Sequence, residues 1–132
     1  MDRRTFLITA AAASGVPFAA LAADFIDYTP GAIDAALAEG KTVFVDYSAS
    51  WCGTCKRQGR VIEALRAANP AYDAKLTFIK VDWDTYKDDE VTVFRNIPRR
   101  STLLVLRGED ELGRVVAGTS ENQIKALMDT GL

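Results

Sequence analysis

A chain of 132 residues, 48% apolar and 26% charged, has the length and composition of one globular domain and excludes a disordered or collagen-like chain. Its 16 basic and 18 acidic side chains leave a formal charge of -2, too balanced to draw a polyanion by long-range attraction, so no nucleic-acid partner is expected. Histidine is absent and cysteine occurs twice, so a metal site would need two thiolates plus carboxylates, and a structural zinc a second chain.

At the amino terminus, Asp2-Arg3-Arg4 precedes an uncharged stretch from Thr5 to Ala23 that ends in the small-residue signature Ala20-Leu21-Ala22. A charged head, an apolar body and small residues at a cleavage site describe a signal peptide. Cleavage after Ala22 is expected, leaving a mildly acidic domain of residues 23–132. Arg3-Arg4-Thr5-Phe6-Leu7 resembles the twin-arginine export signal of bacteria, which implies delivery to the periplasm. An uncleaved anchor is the alternative, since the stretch could just span a bilayer. Its alanine content, Gly15 and Pro17 weigh against that, and no membrane contact is expected after cleavage.

Thr29-Pro30-Gly31 followed by Ile33, Ala36 and Leu37 predicts a helix capped by Thr29 and ended by Gly40. Thr42 to Tyr47 is a continuous β-prone run, which predicts a central strand buried on both faces. Val61, Ile62, Leu65 and Ala68 recur at helical spacing, so a helix is expected from about Gly53 to Ala68. Leu76 to Asp82 predicts a second buried strand and Tyr86 to Phe94 a polar helix. Thr102 to Leu106 and Leu112 to Ala117 read as a hairpin around Gly108-Glu109-Asp110-Glu111. A last helix follows Ser120, whose cap Gln123 would complete as a capping box, with Ile124, Leu127 and Met128 as its apolar face. Strands separated by helices and then a hairpin give an α/β fold, a central mixed sheet flanked by helices that ends in a β-hairpin and a carboxy-terminal helix.

The two cysteines, Cys52 and Cys55, lie three apart where the first strand gives way to a helix. Disulfide exchange needs a thiolate that attacks a sulfur and a second thiol near enough to resolve the mixed disulfide. At a helix start, Cys52 would face unpaired backbone donors and the positive end of the dipole, which favour its thiolate. Cys55, one turn deeper, should be shielded, with Gly53 permitting a tight approach.

The run Val45-Asp46-Tyr47-Ser48-Ala49-Ser50-Trp51-Cys52-Gly53-Thr54-Cys55-Lys56 resembles the active-site strand and helix of the thioredoxin family. Phe44 to Lys56 is also similar to the carboxy-terminal thioredoxin-like domain of bacterial transmembrane thiol reductases, and the order of elements from about Lys41 to Leu132 follows the family. The resemblance implies a thioredoxin fold and dithiol exchange, with Cys52 as nucleophile, Cys55 as resolving thiol and no cofactor beyond a redox-active Cys52–Cys55 disulfide. Trp51 would shape partner docking, with Gly53, Thr54, Arg100, Ser101, Thr102 and Gly118 around it. Asp46 falls where the family places a buried carboxylate, which would take the proton of Cys55 as that thiol attacks; burial would raise its pKa toward the useful range.

Two departures from the family pattern stand out. Ser101 occupies the place of the family's cis-proline, the nearest proline being Pro98; a non-proline cis bond costs about 3 to 4 kcal/mol, so a trans bond is expected there. Losing that proline could open room for a metal beside the thiolates. The other departure is the Gly53-Thr54 dipeptide, which encodes redox direction weakly in a family whose potentials span about 150 mV. With no histidine beside Cys52, a reductant is expected over a strong oxidant. Lys56, Arg57, Arg60, Arg99 and Arg100 could surround the thiols, lower the Cys52 pKa and attract acidic partners, or form a solvated basic face.

The expected function is that of a monomeric periplasmic thiol-disulfide oxidoreductase acting mainly as a reductase on protein thiols and disulfides. A reductant in an oxidising compartment needs electrons brought through the inner membrane, so the resemblance implies a membrane thiol transporter as donor. The alternatives are a thiol oxidase or isomerase and, in another class, a binding module with a static disulfide. As a staple so short a loop contributes little.

Overall fold

The computed structural model describes residues 24–132. The expected signal peptide, residues 1–22, lies outside the described residues. Within them the chain runs β1 (Ile26–Asp27), α1 (Ala32–Ala38), β2 (Thr42–Ser48), α2 (Gly53–Ala68), α3 (Ala71–Lys75), β3 (Leu76–Asp82), α4 (Trp83–Tyr86), α5 (Glu90–Val93), β4 (Thr102–Arg107), β5 (Asp110–Val116) and α6 (Glu121–Asp129). The strands form one mixed sheet in the order β1-β3-β2-β4-β5. β3 runs parallel to both β1 and β2, whereas β4 is antiparallel to β2 and β5.

The expected central strand is β2, and its lack of polar alternation has a direct cause. Phe44 packs with Ile62, Tyr72, Leu103, Ile124 and Met128 on the face covered by α2, α3 and α6. Val43, Val45 and Tyr47 point the other way, into a core completed by Ile33, Ile79, Leu104 and Ile97. Because successive side chains alternate between faces, Asp46 shares the face of Phe44 and lies on the α2 side. β4 is apolar from Leu103 to Leu106 for the same reason, with Leu103 and Val105 on one face and Leu104 and Leu106 on the other.

Several boundaries differ from expectation. Thr29 does not cap α1 with its side chain: Gly31, at φ +86°, precedes the helix, and Thr29 instead accepts the Ala32 N–H with its carbonyl at 2.9 Å. Gly40, at φ +81°, closes that helix as expected. The helix expected from Tyr86 to Phe94 is two single turns. Asp82 caps α4 through Thr85 N–H, Asp89 caps α5 through Val91 N–H, and the two acidic caps restart the helix rather than letting one continue. The hairpin turn is shorter than expected, with Arg107 opposite Asp110 and Leu112 as the extra residue of a bulge. Ser120 caps α6 through Gln123 N–H at 3.4 Å, while the Gln123 side chain lies against Gly118 instead of closing a capping box.

Leu103 is fully buried at the centre of the α2/α6 face. Leu103→Ala is expected to destabilise the fold by about 2 to 5 kcal/mol, the usual loss for a core leucine. Denaturant unfolding checks this, with a lower midpoint at an unchanged slope as the expected outcome.

Candidate functional site

The site forms where β2 ends, α2 begins and the loop ahead of β4 crosses over both. Cys52 is the residue capping α2: its Sγ accepts the Cys55 N–H at 3.1 Å, and its own N–H donates to the Ala49 carbonyl at 3.1 Å. The two thiols are unbonded, so the geometry is that of the dithiol state. Both cysteines are buried, each at 3% exposure. Burial pushes the Cys52 thiol up, but the Cys55 thiol, the Ser101 hydroxyl, the Cys55 backbone N–H and Arg100 favour its thiolate more and bring its pKa down to about 7. Burial raises the Cys55 pKa, and the bond to Cys52 adds to the rise.

Ser101 reaches both sulfurs. Its hydroxyl lies 3.3 Å from Cys52 Sγ and 3.0 Å from Cys55 Sγ. The bond preceding Ser101 is trans, as expected, and the residue sits at φ +63° in the left-handed region. Among the described residues no cluster of three or more potential metal ligands occurs.

Asp46 is 2% exposed, and its Oδ1 has no hydrogen-bond partner. Burial raises its pKa to about 7, with the neighbouring Cys52 adding to the rise and Lys80, its register partner on β3, opposing it. Such a carboxyl gains and loses a proton in the pH range where thiols react.

The remaining expected residues divide. Trp51 is 57% exposed, held by an Nε1 bond to Asp84 at 2.8 Å and covered by the Arg100 guanidinium at 4.5 Å from its ring. Gly53 is exposed, and a side chain there would meet open space, so the tight approach expected of it is not its role. Thr54 is half-buried beside it. Thr102 is fully buried, and its hydroxyl donates to the Arg99 carbonyl at 2.7 Å, which fixes the loop. Gly118 offers its carbonyl inward, to Gln58 at 2.9 Å.

The five cations do not act as one group. Arg100 alone both stacks on Trp51 and acts on Cys52. Arg99 turns its Nε to the Arg100 carbonyl, and Lys56 and Arg60 line a groove shared with Asp24, Asp27 and Glu63. Sequence reasoning missed Gln58, which is fully buried and donates from Nε2 to the Ser101 and Gly118 carbonyls, both at 2.9 Å. A signal existed: Cys55, Gln58, Ile62 and Leu65 form the buried stripe of α2, and a glutamine on such a stripe must bond something.

Comparison with known proteins places these residues in context. The family model described as Thioredoxin matches residues 25–130. Thioredoxin of Echinococcus granulosus is 32% identical over 97 residues, covering 74% of this chain and 84% of its own. Thioredoxin-1 of Saccharomyces cerevisiae is 34% identical over 88 residues, covering 67% and 80%. Among solved structures, Trxlp from Edwardsiella tarda superposes with a TM-score of 0.68 at 33% identity, covering 80% of this chain and 98% of that one.

The buried Asp46 makes stability depend on pH with a defined sign. Its folded pKa, about 7, lies above the ordinary 3.8, so the native state holds the extra proton. The stability it contributes is complete below about pH 4 and lost as pH rises through 7. Asp46→Asn is expected to stabilise the protein at pH 8 by up to about 4 kcal/mol while leaving it nearly unchanged at about pH 3.5. Urea unfolding at the two pH values checks this; equal effects at both would contradict the buried carboxyl.

Proposed function

This chain belongs to the thioredoxin family and is a thiol-disulfide oxidoreductase, and from that premise we propose that it works as an exported reductase of protein disulfides. The direction is supported by the surroundings of Cys52, where the Ser101 hydroxyl, the Cys55 N–H and Arg100, with no histidine in the chain, lower its pKa only to about 7. Strongly oxidising Cys-x-x-Cys proteins depress that thiol to about 3.5, which stabilises their reduced form; reducing members leave it near 7.

In the proposed cycle the Cys52 thiolate attacks one sulfur of a partner disulfide. A bond forms between Cys52 and that sulfur, and the other partner sulfur leaves as a thiolate. Cys55 then gives its proton to the Asp46 carboxylate and attacks Cys52, forming the Cys52–Cys55 disulfide and releasing the second partner thiol. Two electrons pass to the partner, and a dithiol donor must return them. In the periplasm, to which the twin-arginine-type signal of residues 1–22 would direct the chain, that donor is a membrane thiol transporter. The exposed Trp51 and the half-buried Arg100 guanidinium over its ring form the margin over which a partner segment would dock, favouring an acidic one.

Equilibration with glutathione is expected to give a potential nearer about -270 mV than about -120 mV; a value at the oxidising end would make the protein an oxidase. The protein should accelerate insulin reduction by dithiothreitol, Cys52→Ser should abolish the acceleration, and Asp46→Asn should slow it by roughly tenfold near pH 7. No acceleration by the wild type would favour a binding module. For localisation, cell fractionation should find a chain beginning at Ala23 in the periplasm, and replacing Arg3 and Arg4 with lysines should retain the precursor in the cytoplasm. A cytoplasmic wild-type chain that keeps Met1 would remove the export reading.

A further inference from the structure

Ser101 is held from every side except its hydroxyl. Its N–H donates to the Tyr47 carbonyl at 2.7 Å, and its carbonyl accepts from Ala117 N–H at 2.8 Å and from Gln58 Nε2 at 2.9 Å. These three ties maintain a backbone at φ +63°, a conformation that a residue with a side chain keeps only where its surroundings over-determine it. The residue is fully buried, and its Oγ lies within hydrogen-bond distance of both sulfurs. A hydroxyl has one proton to donate and two lone pairs with which to accept. It therefore donates to one sulfur at a time.

We propose that Ser101 is a positioning residue for dithiol exchange, transferring the hydrogen bond of its single hydroxyl from Cys52 to Cys55 as the negative charge moves between them. In the dithiol state the hydroxyl donates to the Cys52 thiolate, toward which the Cys55 S–H also points. Once Cys52 has attacked the partner disulfide, its sulfur is covalently bonded and uncharged, and the partner's leaving thiolate has departed. The hydroxyl then turns about its C–O bond toward Cys55, whose proton passes to Asp46. The Cys55 thiolate attacks Cys52, the bond between Cys52 and the partner breaks, and the second partner thiolate leaves. Ser101 makes and breaks no covalent bond, and its proton stays on Oγ throughout.

The other groups facing the sulfurs have different work. Asp46 approaches from β2 and is itself faced by Lys80 of β3. The Cys55 N–H of α2 bonds Cys52 alone, Arg100 acts on Cys52 from the loop ahead of β4, and Trp83 packs against the pair. Among these only the Ser101 hydroxyl bonds both sulfurs with a proton it can redirect. A donor of this kind favours the thiolates over the disulfide, whose sulfurs carry no charge, so it biases the couple toward the dithiol form. The inference rests on exchange chemistry and holds whichever direction the protein runs in cells.

The test compares Ser101→Ala with Ser101→Gly. Both remove the hydroxyl, but glycine accepts a positive φ freely and alanine does not, so the two separate the hydroxyl from the backbone strain. The Cys52 pKa, read from thiolate ultraviolet absorbance against pH, is expected to rise by about one unit in both variants, about tenfold less thiolate below the pKa. Both should fall to a more reducing potential against glutathione. Reaction with a small disulfide should slow by about tenfold near pH 6 and recover above the shifted pKa. An unchanged pKa and potential in both variants overturns the proposal, as does a change in Ser101→Ala that Ser101→Gly restores to wild type. The pKa measurement uses no partner, so failure of the reductase reading would show in the wild-type potential and leave this comparison intact.

Discussion

The burial of β2 on both faces is the constraint from which the site follows. A strand enclosed by α2, α3 and α6 on one side and α1 on the other has no wet face on which to place a charge, yet it carries Asp46. Alternation assigns that carboxylate to the side of α2, the helix that begins at the cysteines. Its elevated pKa is then unavoidable, because a charge without a hydrogen-bond partner in a dry interior is expensive to keep. The same burial fixes where the cysteines lie, since α2 must seat Ile62 and Leu65 against the sheet and so presents its first turn above the end of β2.

Opposite that turn, the loop ahead of β4 is held by polar groups that the apolar pattern does not announce. Gln58 joins the Ser101 and Gly118 carbonyls to α2, and Thr102 anchors the loop to Arg99. The result is a serine in a strained backbone, its hydroxyl aimed at two sulfurs from a position that resembles that of the family's proline. Proline could restrict the loop but offers the sulfurs no donor. Here restriction comes from the main-chain ties, and a donor is added.

Much of this was legible from residue order. Cys52 and Cys55 at the junction of an apolar run and a helical pattern revealed a dithiol site, and Asp46 inside that run revealed a buried carboxyl. The basic residues were less legible. Lys56, Arg57, Arg60, Arg99 and Arg100 are close in sequence or in expected topology, yet only Arg100 reaches Cys52, because side-chain direction separates charges that spacing groups together. The helix expected over Tyr86 to Phe94 failed for a local reason, since Asp89, which looks like a solvated charge, caps α5 and divides the segment. β1 was missed because two residues carry no periodicity.

By itself, the amino-acid sequence determined the sheet's central strands, the start of α2 and the chemistry at that start, because each depends on residues near one another in the chain. Cys52 and Cys55 are three apart, and a helix cap is a local bond. Tertiary structure alone decided which hydroxyl meets the sulfurs, which cation touches Cys52 and how dry Asp46 becomes. Ser101 is 46 residues from Cys55 and Gln58 is 60 from Gly118, so their contacts exist only once the sheet has closed around them. Such long-range bonds leave no period in the sequence, and here they convert a cysteine pair that many folds could carry into one whose Cys52 thiol is brought down to a pKa of about 7, with a hydroxyl shared between its sulfurs.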